Sequence, residues 1–80
     1  MSAKKNRRAL KKLHRDFKPT LGWPKGHYRL SYIYERWFGG WCWLAKASTL
    51  QDHGKTRKKA IAKLRARLEK EVEQRNRGEA

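Results

Sequence analysis

Acid is scarce in this chain: seven Asp and Glu stand against 22 Lys and Arg in 80 residues, a formal charge of +15 at pH 7. No pair of those acids has the spacing that carboxylate acid–base chemistry uses, and the excess of cations is far beyond what solubility requires. A field of this sign favours polyanions. A single cysteine, Cys42, excludes an internal disulfide and fits a reducing compartment. No apolar run approaches the roughly 18 residues of a membrane span, and the N-terminus lacks the apolar segment of a signal peptide. A soluble cytoplasmic protein with no membrane partner is expected. His14, His27, His53 and Cys42 lack the paired spacing of a zinc site. Glycine-rich phosphate loops and nucleophile elbows are missing too. His27, His53 and a lysine could in principle cleave RNA by acid–base chemistry, but their spacing does not require it. The expectation is therefore no enzyme, no metal, no cofactor and no small-molecule substrate.

What is present falls into three parts. Residues 1–30 carry ten Lys or Arg and one Asp, residues 31–54 balance at zero, and residues 55–80 carry ten Lys or Arg against four acids. Eighty residues make one domain, and a chain this short buries only about 60% of its unfolded surface. Only the neutral middle can build a core. Leu30–Ala47 alternates apolar and polar residues on both sides of Gly39-Gly40, the glycine pair expected of a two-residue β-hairpin turn. With that turn, Phe38 faces Trp41, Arg36 faces Trp43 within cation–π reach, and Tyr34 faces Ala45. One face then carries Leu30, Tyr32, Tyr34, Arg36 and Phe38 opposite Ala47, Ala45, Trp43 and Trp41, and it is the expected core face, since a slip of one residue would put most of the aromatics in water. The competing assignment for the same rings is a base-stacking platform. A third strand around Thr49–Asp52 is left open.

Helices are expected on either side. Ser2 is a candidate cap for a basic helix from about Ala3 to Phe17, with Leu10, Leu13 and Phe17 as its apolar stripe and Pro19 as its stop. Residues 19–27 read as a linker, in which Trp23 either pins the linker to the core or meets a partner. Thr56 is the expected cap of a C-terminal helix over residues 56–77, with Ala60, Ile61, Leu64, Leu68 and Val72 on one stripe and Gly78 as its stop signal. The pairs Arg65–Glu69, Glu71–Arg75 and Glu73–Arg77 have i,i+4 spacing, worth a few tenths of a kcal/mol each. The expected organisation is one α+β domain, α-β-β-(β)-α: residues 1–18 a basic helix, 19–27 a linker, 28–52 an aromatic hairpin or sheet, and 56–77 an amphipathic helix.

Three cations, Arg57, Lys58 and Lys59, open the C-terminal helix, where the helix dipole disfavours positive charge by about 0.3–1 kcal/mol each. An anion held there by the cations, the Thr56 hydroxyl and free backbone N–H groups would complete the arrangement. Candidate nucleic-acid contacts are Lys4, Lys5, Arg7, Arg8, Lys11, Lys12, Arg15, Lys25, Lys55, Arg57, Lys58 and Lys59, with Trp23 and Trp37 as stacking or partner contacts. Thr56-Arg57-Lys58-Lys59-Ala60 resembles the Ser-Lys-Lys-x-Ala that opens the second helix of the double-stranded-RNA-binding domain. Pro24-Lys25-Gly26-His27 is similar to that family's Gly-Pro-x-His loop. The resemblance implies α-β-β-β-α order, phosphates gripped across the major groove by the second helix, and a loop in the minor groove. Residues 30–68 also resemble the β-β-β-α unit of HicB-type antitoxins. The expected function is a non-enzymatic nucleic-acid-binding module, RNA favoured over DNA. The alternative is a small phage-type inhibitor or regulator that uses the same basic and aromatic surface on a larger nucleoprotein enzyme.

Overall fold

Two amphipathic helices bury their apolar stripes on one face of a three-stranded antiparallel sheet. The computed structural model describes the backbone of residues 2–78 and the side chains of residues 6–78. The elements are α1 (Ser2–Leu21), β1 (Tyr28–Glu35), β2 (Gly40–Ala47), β3 (Leu50–Gly54) and α2 (Arg57–Gly78), with short 3₁₀ turns at Lys25–His27 and Arg36–Phe38. Sheet order is β1-β2-β3. The chain is α+β in the order α-β-β-β-α, and the third strand exists. No helix among the described residues is long and apolar enough to cross a membrane.

α1 does not stop before Pro19. It continues through the proline to Leu21 and ends at Gly22, whose φ of +70° forms a left-handed cap and whose N–H donates to the Lys18 carbonyl at 3.0 Å. One more turn places buried Leu21 beside Leu13 and Phe17. Burying a leucine stabilises by about 1.5–3 kcal/mol, enough to offset much of the roughly 3 kcal/mol that an interior proline costs. The side chain of Ser2, the expected cap, lies outside the described residues.

The glycine pair is not a two-residue turn. Arg36–Phe38 turns on itself, Gly39 closes that turn at φ +101°, and β1 meets β2 with Tyr28 opposite Ala47 and Tyr34 opposite Trp41. Each residue of one strand thus faces a partner four positions from the expected one. Four is even, so the residues that stay in the strands keep their faces, but Arg36 and Phe38, expected on the core face, fall in the turn, and Phe38 swings to the other side. The tight turn is instead Ser48-Thr49, with Ser48 at φ +56° and Ala47 opposite Leu50. The longer first turn lets Trp37 and Phe38 reach His53 on the sheet face away from the helices, at ring distances of 4.7 and 6.0 Å.

The core is built from Leu13, Phe17 and Leu21 of α1, Ala60, Leu64 and Leu68 of α2, and Tyr28, Ala45 and Ala47 of the sheet. Two alanines on β2 let the helices approach closely. Tyr32, Tyr34 and Trp41, expected in this core, lie outside it at 55%, 61% and 62% exposure, and only Trp43 is partly covered. The helix layer covers one end of the sheet, and the hairpin runs past it.

Two contacts fix the helices side by side and parallel: Arg57 Nη1 donates to Asn6 Oδ1 at 3.1 Å and Arg65 Nη1 meets Asp16 Oδ2 at 3.0 Å, while Arg75, late in α2, lies 5.7 Å from the ring of Trp23 in the linker that follows α1. Arg65 therefore crosses to α1 and does not pair with Glu69, while Arg75–Glu71 and Arg77–Glu73 pair as expected. At Asp16, burial pushes the pKa up, but hydrogen bonds and charge from Arg65 and Arg15 outweigh it and hold the carboxyl below 3.8. With the folded value below the unfolded one, this contact stabilises above that pH and fades as the carboxyl is protonated in acid.

Tyr28 is buried with its hydroxyl unpartnered among the described residues, and burial raises its pKa above 10. Removing that hydroxyl in Tyr28→Phe is expected to raise the unfolding free energy by about 1 kcal/mol, since an unsatisfied buried donor costs about that or more. Thermal melting checks it; a lower melting temperature would mean that the hydroxyl has a partner.

Candidate nucleic-acid interface

The apolar stripe of α1 faces the sheet, so the 3.6-residue period turns Arg7, Arg8, Lys11, Lys12, Arg15 and Lys18 outward, and all six are exposed. Among the described residues only Arg15 of this ridge has an acidic partner, the adjacent Asp16 at 3.4 Å. Lys4 and Lys5 extend the ridge in sequence, but their side chains lie outside the described residues.

α2 begins at the same end of the helix layer. Thr56 caps it as expected, its Oγ1 accepting from the Lys59 N–H at 3.1 Å, and its first turn holds no acid. Lys55, Lys58 and Lys59 are exposed. Arg57 is half-buried: its guanidinium lies 5.3 Å from the Trp43 ring as well as on Asn6, so it ties α2 to both α1 and the sheet. The cation–π partner of Trp43 is thus Arg57, not Arg36. Between the Arg57–Asn6 and Arg65–Asp16 cross-links the helices leave a groove, floored by Ala9, Leu30, Ile61 and Ala62 and flanked by Lys12 and Lys58. The structure therefore brings Lys12, Arg57 and Lys58 together. Lys25 and Trp23 sit at the other end, and half-buried Trp23 packs on the core, pinning the linker.

Trp37 is 68% exposed at the hairpin tip. A second aromatic surface was hidden by the expectation of a core. From Trp43 toward the tip, Tyr32 lies 5.0 Å from Trp43 and stacks on Trp41 at 5.3 Å with 19° between planes, and Tyr34 meets Trp41 edge-on at 5.6 Å. The available signal was residue size on β2: its alanines, Ala45 and Ala47, lie under the helices, and its tryptophans, Trp41 and Trp43, lie toward the uncovered end.

Cys42 is buried, and burial, with a further push from the Glu35 carboxylate, raises its thiol pKa. His53 is buried against Trp37 and Phe38, while His27 is exposed in the turn before β1. Among the described residues no three His, Cys, Asp or Glu gather as metal ligands. No protein family, curated protein or solved structure matches the chain.

Proposed function

We propose that the protein is a non-enzymatic nucleic-acid-binding module of the cytoplasm that holds phosphates along its helix layer, with RNA favoured over DNA. The observation that carries this is the α1 ridge. Arg7–Lys11, Arg8–Lys12 and Lys11–Arg15 are like-charge i,i+4 neighbours, each destabilising the helix by roughly 0.2–0.5 kcal/mol. A helix that keeps these pairs exposed, with almost no acid to offset them, is suited to a polyanion that supplies the missing charge. The groove flanked by Lys12 and Lys58 continues the same surface onto α2. The preference for RNA draws on the likeness of Thr56–Ala60 to the phosphate-gripping helix of the double-stranded-RNA-binding domain.

The test is binding of duplex RNA, single-stranded RNA and duplex DNA across a salt series. If about six phosphates are neutralised, the logarithm of affinity falls against the logarithm of salt with a slope of about −4 to −5. A flat salt dependence, or no binding at low salt, counts against the proposal. A second reading, an inhibitor or regulator that docks on a larger nucleoprotein enzyme, draws on exposed Trp37 on the face away from the helices. Protein partners retained in a pull-down after nuclease treatment would favour it.

A further inference from the structure

We propose that Tyr32, Trp41 and Tyr34 form a stacking platform for unpaired bases, so that the nucleic acid this protein takes is single-stranded where it crosses the hairpin. The proposal rests on the nucleic-acid reading above and deepens it. Three adjoining rings, each more than half exposed, make a concentrated aromatic patch on a small protein, and such patches mark contact surfaces. Local structure does not require aromatics there: β1 and β2 pair through their backbones, and the helix layer leaves this end of the sheet uncovered.

The rings are ordered before any partner arrives. Tyr32 is held between Trp43 and Trp41, and Tyr34 rests edge-on against Trp41. A pre-ordered surface loses little conformational freedom on binding. Tyr32 and Tyr34 stand two strand residues apart, about 6.6 Å along β1.

Charge selects the occupant. Arg57 closes the inner end of the ladder over Trp43, and exposed Lys55 and Lys58 flank it in the chain. The acid nearest in sequence, Glu35, alternates onto the opposite face of β1. Flat rings bordered by cations suit a ligand with flat apolar faces strung on an anionic backbone. In a duplex those faces are covered by neighbouring base pairs, so only unpaired bases can use the platform.

The test compares the full chain with Trp41→Ala and Trp41→Phe, by fluorescence anisotropy, on a short oligouridine, an oligothymidine of the same length and a duplex RNA of the same length. Trp41→Ala is expected to lose about 5- to 150-fold in affinity for single strands, the range for one stacked base, with duplex affinity unchanged. Trp41→Phe keeps a ring face and is expected to retain most single-strand affinity, a comparison that still decides the matter if the alanine chain melts early. Comparing the oligouridine with the oligothymidine separates RNA from DNA as the source of the bases. Wild-type affinity of Trp41→Ala for single strands overturns the platform, as it would if the ladder were a protein contact. Equal losses on duplex and single strands overturn it too. A wild-type chain that binds none of the three overturns the nucleic-acid reading itself, whereas intact duplex binding with no effect of Trp41 removes the platform alone.

Discussion

Alanine at position 54 is expected to lower the melting temperature by about 5–20 °C, corresponding to about 1–3 kcal/mol of overpacking in a domain of this size. A Cβ on Gly54 would lie 2.5 Å from the Ala60 nitrogen, 2.9 Å from its Cα and 3.0 Å from the Lys59 carbonyl carbon. All three are backbone atoms, so no side chain can rotate away. The Ala60 N–H makes an early hydrogen bond of α2, to the Thr56 carbonyl at 3.0 Å, and Ala60 itself is fully buried. Either β3 must leave the sheet or the first turn of α2 must lift, and the same turn carries the Arg57–Asn6 tie to α1. Gly26→Ala is the control, because its Cβ meets nothing within 4 Å. That chain is expected to melt at or slightly above the parent. Equal melting of the two variants would mean that β3 and α2 approach less closely than described.

Replacing Arg8, Lys11 and Lys12 together by alanine is expected to move affinity and stability in opposite directions. Each phosphate contact adds about 0.9 to the salt slope, so three lost contacts weaken binding in about 0.1 M salt by roughly several hundredfold and flatten the slope by about 2–3. Alanine is the best helix former, and the substitutions remove all three like-charge i,i+4 pairs named above. Melting temperature should therefore stay level or rise by a few degrees. A fall in both affinity and melting temperature would show that the ridge is structural; a rise in melting temperature without loss of binding would move the phosphate site elsewhere, the Lys55–Lys59 turn being the next to substitute.

The contrast between those two positions shows how much was legible. The α1 ridge follows from one apolar stripe: once Leu10, Leu13 and Phe17 face inward, the cations between them must face out, whatever the helix rests on. Gly54 reads in the chain only as the close of a connection, and its contact with Ala60 exists because β3 and α2 meet in space. The aromatics fall between these cases. Alternation placed Tyr32, Tyr34, Trp41 and Trp43 correctly on one face, and the assignment survived a wrong register because the displacement was even. Their exposure was misread, since alternation says which face a ring occupies but not whether anything lies over it. Arg57 was likewise legible as a cation at a helix start, while its place over Trp43 depends on how the helix and hairpin meet.

Sequence alone determined the α-β-β-β-α architecture apart from the third strand, the sidedness of both helices and of the hairpin, the Thr56 cap and the basic character of the surface. Each of these depends on neighbours within a few residues. Tertiary structure decided the hairpin register, the extra turn of α1 through Pro19, the Arg65–Asp16 and Arg57–Trp43 contacts, and the limit of helix cover that leaves three aromatic rings in water. Those depend on where two helices come to rest on a sheet, a balance of burial across the whole chain to which no short stretch holds the answer.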